Sequence, residues 1–190
     1  WAIGLEWYLL MQDPWRVAMS TDHPNGGSFL AYPEIIALLM DRRRREEALA
    51  KLPPSVREGC VLGDLTREYT LNEIAIITRA APARMLGLTN KGHLGPGADA
   101  DLTIYTPNDE RDFQRMFELP RIVIQRGRVV FEEGELRAAE GGVLLHAAPS
   151  YDPGSIEHIQ NWFERYYTIQ FRNYPIDDTY LDEHEIVPTP

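Results

Sequence analysis

The sequence predicts an α/β fold, on three observations about strands, helices and the loop between them. A short apolar run, residues 17–19, leads directly to Asp22, and Pro24, Gly26 and Gly27 then turn the backbone. Apolar residues at helical spacing follow this loop, and two short β-rich runs stand in the second half of the chain. In parallel α/β folds the carboxyl ends of strands carry ligands and chemistry. Asp22 is therefore a candidate functional residue, although an aspartate before a turn also bonds its own backbone.

Composition and charge limit the class of protein. The chain has 190 residues, 44% apolar and 25% charged, which is typical of a soluble globular domain with or without an appendage. No apolar run reaches about eighteen residues and no leader-like segment is seen, so neither a membrane span nor a signal peptide is predicted. The net charge of −10 argues against a general nucleic-acid binder. A single cysteine, Cys60, excludes an internal disulfide, and a reducing, cytoplasmic setting is expected.

The first elements follow from apolar spacing and from prolines. A helix is predicted over 2–12 and a strand over 15–20, directly ahead of the Asp22 loop. Pro33-Glu34 opens a second helix with a buried face, and Pro53-Pro54 ends it.

Four consecutive arginines, residues 42–45, stand in that second helix. We interpret them as a solvated helix end that complements the helix dipole, with Arg42–Glu46 and Arg43–Glu47 spaced to pair along the helix. A phosphate or partner site is the alternative interpretation.

Residues 70–87 carry clear helix-boundary signals. Thr70 and Glu73 match a capping box, so a helix begins there. It is expected to continue into a second short helix, with Pro82 in the first turn and Gly87 just past the end.

The second half of the chain changes to β-rich sequence. Arg126-Gly127 is predicted to be the tight turn of a hairpin, and Gly134 marks another turn. Strands are predicted at 100–105, 121–125, 128–132 and 143–146. An aromatic, acidic tail then carries a helix from Ser155 and a strand candidate over 167–171. The predicted organisation is a strand-and-helix part over 1–88, a small antiparallel part over 89–147 and a tail over 148–190.

Two separated motifs resemble the amidohydrolase superfamily. The first is the Asp22 loop, and the second is Arg-Ala-Ala-Pro-Ala-Arg-Met-Leu-Gly-Leu at 79–88, followed by Lys-Gly-His-Leu-Gly-Pro-Gly-Ala-Asp-Ala-Asp-Leu at 91–102. In that superfamily the last barrel strand delivers an aspartate, and the second motif leads back to a small β-domain. The resemblance therefore implies the C-terminal part of an amidohydrolase (β/α)8 barrel plus strands of a small composite β-sandwich.

Further stretches resemble one family within the superfamily, the A subunits of formylmethanofuran dehydrogenase and of the bacterial formyltransferase/hydrolase complex. They are residues 13–17, 21–27, 67–80, 166–168 and 173–175. The resemblance implies a zinc-dependent enzyme that hydrolyses or forms the N-formyl amide of a methanofuran-type carrier, with formate as the other product. It also implies sister subunits in a multisubunit complex of one-carbon metabolism, as in methanogenesis or methylotrophy.

The site residues come from the same resemblance. Hydrolysis of a formamide needs an activated water and a proton for the departing amine, which a metal pair and a nearby carboxylate supply. By resemblance Asp22 is that carboxylate and also a zinc ligand, and His23, Asn25, Gly26 and Gly27 contact substrate. His23 satisfied locally in the turn is an alternative, and glycines in a tight loop need no ligand to explain them.

The other zinc ligands are expected upstream of Trp1. The five histidines contain no His-x-His pair, and the two lysines, Lys51 and Lys91, stand at a helix end and in a loop rather than at buried metal-bridging positions. The chain opens on Trp1 within an apolar stretch, so we expect it to be the C-terminal portion of a longer protein. Alone it is expected to bind no metal pair and to turn over no substrate.

Two other functions stay open at this point. One is a different cyclic amidohydrolase, related to dihydroorotase or hydantoinase, and the other is a non-catalytic scaffold subunit that keeps the fold for assembly. The aromatic tail is a candidate packing surface for sister subunits. The sequence does not decide between the archaeal dehydrogenase and the bacterial hydrolase complex. It also leaves open the tail of the carrier, the identity of the metals and the oligomeric state.

Overall fold

The computed structural model describes residues 1–108, 110–138, 144–148, 150–174 and 184–188. The chain divides into two compact units. The first comprises Trp1–Met85 with Asn90–Ala139, and the second comprises Leu86–Thr89 with Glu140–Pro190. No helix within the described ranges has the length and apolar character needed to span a membrane.

The first unit combines helices with an antiparallel sheet. Its helices are α1 (Ala2–Leu10), α2 (Tyr32–Met40), α3 (Arg42–Ala50), α4 (Pro54–Glu58), α5 (Leu71–Ala75), α6 (Ala81–Met85) and α7 (Phe113–Glu118). Short 3₁₀ turns lie at Pro14–Arg16, Phe29–Ala31 and Leu62–Asp64, and a π-helical turn at Ile76–Ala80 joins α5 to α6. Its strands are β1 (Leu102–Ile104), β2 (Ile122–Gln125), β3 (Arg128–Glu132) and β4 (Glu135–Leu136).

The core of this unit lies among α1, α2 and the α5–α6 run. Leu9, Leu39 and Ile77 are at most 2% exposed and belong to one apolar cluster. Ile36, Leu38 and Met40 on α2 are buried in the same cluster, which confirms the predicted buried face.

The prediction of a single helix from Pro33 to Pro53 is wrong. The helical conformation is interrupted at Asp41, whose backbone is extended (φ −129°, ψ 107°) and whose carboxylate accepts the Arg44 amide at 3.1 Å. Aspartate favours this N-cap position because its side chain satisfies an amide that has no partner within the helix. Asp41 therefore ends α2 and begins α3.

The arginine run consequently opens a helix rather than ending one. The predicted pairs are present, with Arg42–Glu46 at 2.6 Å and Arg43–Glu47 at 3.9 Å. The dipole interpretation is wrong, because cations are disfavoured at a helix N-terminus. A carboxylate fills that position instead, since Glu68 accepts the Arg42 amide at 2.7 Å. The run is also not wholly solvated, because Arg45 is only 1% exposed.

Arg45 holds residues 65–69, which form neither helix nor strand, against the end of α2. Its guanidinium donates to the carbonyls of Leu38 (2.8 Å), Leu65 (3.0 Å) and Arg67 (2.9 Å). Burial lowers the pKa of Arg45, yet a guanidinium stays charged in a protein. Its three carbonyl partners therefore replace the water that burial removes.

Segment 65–69 also joins α1 and α2. The Tyr69 amide donates to the Leu39 carbonyl at 2.9 Å, and the Tyr69 hydroxyl donates to the Tyr8 carbonyl at 2.5 Å. The predicted capping box follows directly: Thr70 Oγ1 accepts the Glu73 amide at 3.2 Å, and Glu73 accepts the Thr70 amide at 2.8 Å.

The expected strand over 15–20 is also wrong. Residues 14–16 form a 3₁₀ turn that Asp13 caps by accepting the Trp15 amide at 3.1 Å. Val17 is extended (φ −126°, ψ 135°), but residues 17–20 pair with no strand among the described residues. A strand is defined by a neighbouring ladder, whereas here the Val17 amide bonds the nearby Pro14 carbonyl at 3.2 Å and the Met19 amide bonds the carbonyl of Ile77 at 2.8 Å.

The sheet confirms the predicted hairpin at Arg126-Gly127 and the predicted turn at Gly134. Its order is β1-β2-β3-β4, with every neighbouring pair antiparallel. Arg126 and Gly127 both have positive φ, at 50° and 78°, as a tight two-residue hairpin turn requires. Glu133 and Gly134 repeat this geometry before β4. Helix α7 was not predicted, since its six residues are too few to display a helical period.

The second unit contains β5 (Leu144–Ala148), α8 (Gly154–Tyr166), a 3₁₀ turn at Phe171–Asn173 and β6 (His184–Pro188). β5 and α8 confirm the predictions for 143–146 and for a helix from Ser155, and β5 pairs in parallel with β6. The strand expected over 167–171 is wrong. Tyr167 stacks on Phe163 at 4.6 Å and Tyr174 meets the same ring edge-on at 5.0 Å, so ring packing takes the place of strand pairing. The acidic end of the tail lies largely outside the described residues.

We expect Arg45→Met to lower the free energy of unfolding by about 3 kcal/mol or more, because three carbonyls would lose their donor without regaining water. Arg43→Met is the matched control on the same helix, since the Arg43 side chain is 85% exposed, and it should change stability by less than about 0.5 kcal/mol. Denaturant unfolding of the intact protein measures both. Equal effects of the two substitutions would contradict the structural role of Arg45.

Candidate functional site

The five residues singled out from the sequence lie in one short loop. Asp22 has φ of 50°, in the left-handed region that aspartate tolerates better than most residues. Its amide donates to Ser20 Oγ at 3.3 Å, and its carbonyl accepts the Gly26 amide at 2.8 Å. The backbone thus closes on itself around the carboxylate, whose side chain is exposed in this chain.

Gly26 is required for this closure. A Cβ added there would lie 2.8 Å from the Thr21 carbonyl oxygen, closer than real Cβ contacts, and a tight 3.1 Å from the Asp22 Cβ. At Gly27 the nearest atom, again the Thr21 carbonyl oxygen, is 3.7 Å away, which is ordinary contact. Loop geometry therefore accounts for Gly26 but not for Gly27.

His23 and Asn25 are the polar side chains beside the carboxylate. The His23 ring meets Phe29 edge-on at 4.7 Å, and the His23–Pro24 peptide bond is cis. Both His23 and Asn25 are exposed, whereas Gly27 is half-buried. The loop therefore presents a carboxylate, an imidazole and an amide on one accessible segment.

Two hydrogen bonds to the segment just before the loop were not predicted from the sequence. The Tyr8 hydroxyl donates to the Ala18 carbonyl at 3.2 Å, and the Met19 amide bonds the Ile77 carbonyl at 2.8 Å. Burial raises the pKa of Tyr8, so the hydroxyl keeps its proton as a donor. The first contact comes from α1, whose apolar residues show no single face in the sequence, and the second involves only backbone atoms.

The loop does not by itself provide the donor set of a zinc pair. Zinc in proteins takes three or four nitrogen, sulfur or carboxylate ligands. The described part of the chain contains no group of three or more histidine, cysteine, aspartate or glutamate side chains placed to hold a metal ion. Asp22 can supply one carboxylate ligand, and any remaining ligands would have to come from elsewhere.

The second motif forms a cluster of ion pairs next to the sheet, between Lys91, Asp99 and Asp101, which we call the clasp. Lys91 Nζ lies 2.6 Å from Asp99 and 2.5 Å from Asp101, and Asp101 also accepts the Arg126 amide at 2.8 Å in the hairpin turn. Burial alone would lower the pKa of Lys91, but hydrogen bonds to Asp101 and Asp99 raise it. Burial alone would raise the pKa of Asp101, but hydrogen bonds from Lys91 and Arg126 lower it.

Gly92 brings the two halves of that motif together. Its φ is 77°, and an added Cβ would lie 2.7 Å from the Ala83 Cβ and 2.9 Å from the Arg79 carbonyl oxygen. Segment 91–101 therefore packs directly on the π-turn and α6. Packing and charge pairing account for Lys91, Gly92, Asp99 and Asp101 in this motif.

Comparison with protein families identifies the class of protein. The model of the amidohydrolase family matches residues 4–131, more than half of the chain. The chain belongs to this family.

Two curated proteins of known name are similar to nearly the whole chain. The chain is 39% identical over 97% of its length to the A subunit of the formyltransferase/hydrolase complex Fhc of Methylorubrum extorquens, and 34% identical over 98% to protein FwdA of Methanocaldococcus jannaschii. It spans about a third of their length, 33% and 35% respectively. The resemblance inferred from the motifs is thereby confirmed.

A solved structure gives the same likeness in three dimensions. The crystal structure of the FhcABCD formyltransferase/hydrolase complex from Methylorubrum extorquens, in complex with methylofuran, matches with a TM-score of 0.80 at 38% identity. The match covers 100% of this chain and 35% of the chain in that structure.

We expect Gly26→Ala to open the loop, because the new methyl group would collide with the Thr21 carbonyl. Amide hydrogen exchange at position 26 should accelerate by about tenfold or more, as the bond to the Asp22 carbonyl is lost. Gly27→Ala is the matched control and should leave that exchange rate unchanged. Full protection of the amide at position 26 in the Gly26→Ala variant would refute the requirement for glycine.

We expect Lys91→Met to lower stability by about 1–2 kcal/mol near neutral pH, and less in acid. The folded-state pKa of Asp101 is lowered, so its contribution is present above its unfolded value of about 3.9 and is lost as pH falls through the folded value. The pKa of Lys91 is raised, so its contribution holds up to about pH 10 and is lost only above that.

The free energy of unfolding of wild type and of Lys91→Met, measured between pH 3 and pH 8, tests this expectation. The two curves of stability against pH should converge at the acid end, below about pH 4. The other lysine, Lys51, is exposed, and Lys51→Met is the control that should show no such convergence. A difference that is constant across this range would contradict the clasp.

Proposed function

We propose that this chain is the C-terminal portion of an amidohydrolase-type subunit that hydrolyses or forms the N-formyl amide of a methanofuran-type carrier. In this proposal 1–88 are the last strand–helix units of a (β/α)8 barrel, 89–147 contribute strands to a small β-sandwich, and 148–190 form the tail. The observation that carries the proposal is the Asp22 loop, which follows a segment held by the Met19–Ile77 backbone bond in an amidohydrolase-family chain. The likeness to the A subunit of the Fhc complex, over 97% of the chain, supports the choice of substrate.

Asp22 would act as the general base and then as the general acid. It takes a proton from the water that attacks the formyl carbon, and it returns this proton to the amine nitrogen as the carbon–nitrogen bond breaks. The products are formate and the free amine of the carrier. A positioned carboxylate in this role contributes about 10²–10⁴-fold to the rate. Run in reverse, the same transfers form the amide.

The proposal includes a dependence on metal ions, with zinc as the metal and Asp22 as one ligand. A metal pair would supply a water of lowered pKa and would polarise the formyl oxygen. A carboxylate is a suitable oxygen ligand for zinc, and the exposure of Asp22 leaves it accessible to such a centre. Every other role proposed here belongs to residues of this chain.

The loop residues beside Asp22 would contact the carrier. His23 and Asn25 offer hydrogen-bonding groups on the exposed side of the loop, and Gly27 leaves room for close approach of the substrate. Sister subunits of the formyltransferase/hydrolase or dehydrogenase type are the proposed partners. The name of the Methylorubrum complex supports this assignment, and a cytoplasmic location is proposed with it.

We expect Asp22→Asn in the full-length subunit, within its assembled complex, to lower formate release from formylated carrier by about 10²–10⁴-fold. Subunit composition on gel filtration should be unchanged, since asparagine matches aspartate in size and shape. Asp64→Asn, at another exposed aspartate, is the matched control and should keep wild-type activity. Near-wild-type turnover by Asp22→Asn would remove Asp22 from the mechanism.

The same wild-type preparation separates the two other candidate functions. Turnover of dihydroorotate or hydantoin, with none of formylated carrier, would identify a cyclic amidohydrolase instead. A stable complex that turns over neither substrate class after metal loading would identify a scaffold subunit.

A further inference from the structure

The π-helical turn at Ile76–Ala80 leaves one buried carbonyl without a donor inside its own helix. In a regular α-helix the Ile77 carbonyl would accept the amide of Ala81, four residues on. Here the Ala81 amide bonds the carbonyl of Ile76 instead. The next residue, at the five-residue spacing of a π-helix, is Pro82, which has no amide hydrogen.

The Ile77 carbonyl accepts a hydrogen bond from the segment that leads to Asp22. Ile77 is fully buried, so its carbonyl would be costly to leave unpaired. It accepts the amide of Met19 at 2.8 Å, and Met19 is itself buried in the core cluster. Residues 17–20 have no strand ladder within the described part of the chain, so this bond fixes the backbone three residues before the candidate carboxylate.

Two further hydrogen bonds fix the backbone between Ala18 and Asp22. The Tyr8 hydroxyl fixes the carbonyl of Ala18, one residue before Met19, and the Ser20 hydroxyl oxygen accepts the amide of Asp22. The path from the π-turn to Asp22 is therefore hydrogen-bonded at residues 18, 19 and 22.

We propose that Pro82 is a positioning residue for Asp22. Because it offers no amide, it keeps the Ile77 carbonyl for Met19, and through Met19 it sets where the carboxylate lies. This inference rests on the catalytic role proposed for Asp22, and it gives Pro82 a part in the reaction although it touches no substrate.

Pro82→Ala in the full-length complex tests the inference. The new amide can bond the Ile77 carbonyl and free Met19, and alanine is the better helix former, so α6 should persist. Exchange of the Met19 amide should accelerate at least about fivefold. The kcat for formate release should fall about 10- to 100-fold, as expected for a displaced reacting group. Pro54→Ala, at the exposed first residue of α4, is the control and should change neither quantity.

A double variant distinguishes positioning from general damage. If Pro82 acts through Asp22, adding Pro82→Ala to Asp22→Asn should lower the residual activity less than about twofold further. Loss by the same factor in both backgrounds would overturn the inference, and so would an unchanged Met19 exchange rate in Pro82→Ala.

Tyr8→Phe provides a second variant of the same path, in case Pro82→Ala does not fold. It removes only the hydroxyl that holds Ala18, and a smaller loss of kcat that disappears in the Asp22→Asn background is expected. A loss that persists in that background would overturn the inference. Failure of the proposed function has a different signature, a wild-type complex without deformylase activity, and the Met19 exchange comparison then still decides whether Pro82 reserves the carbonyl.

Discussion

The buried guanidinium of Arg45 is the constraint on which the first unit depends. It bonds three backbone carbonyls and so holds segment 65–69 against the end of α2. Tyr69 then lies between α1 and α2, and its hydroxyl bonds the Tyr8 carbonyl on α1. Tyr8 in turn holds the segment that leads into the Asp22 loop. The buried cation is thus connected to the candidate site through hydrogen bonds and the short stretches of chain between them.

The two motifs that indicated the amidohydrolase family have different physical roles. The Asp22 loop is exposed and offers groups for chemistry, with Gly26 required for its closure. The motif at 79–102 is a structural element, in which Gly92 packs on α6 and Lys91 clasps two aspartates. Pro82 connects the two, because the carbonyl that it leaves free anchors the segment before the loop.

Features that depend on neighbouring residues were predictable from the sequence, whereas features that depend on distant contacts were not. The capping box at Thr70 and the hairpin turn at Arg126-Gly127 are decided within a few residues, and both were predicted correctly. Two of the three carbonyls that Arg45 bonds when buried lie 20 and 22 residues away, so the arginine run looks solvated in the sequence. The segment before Asp22 was expected to be a strand because an apolar run cannot reveal whether a ladder partner is present, and the described residues provide none. The candidate loop could therefore be located from the sequence, but not the side chains that hold it.

The most direct test of the central claim is a structure of the complete, metal-loaded subunit with its formyl carrier bound. We predict an Asp22 carboxylate oxygen about 2.0–2.2 Å from a zinc ion, with the formyl group beside it. An Asp22 side chain that faces bulk solvent in that complete subunit, away from metal and carrier, would contradict the claim.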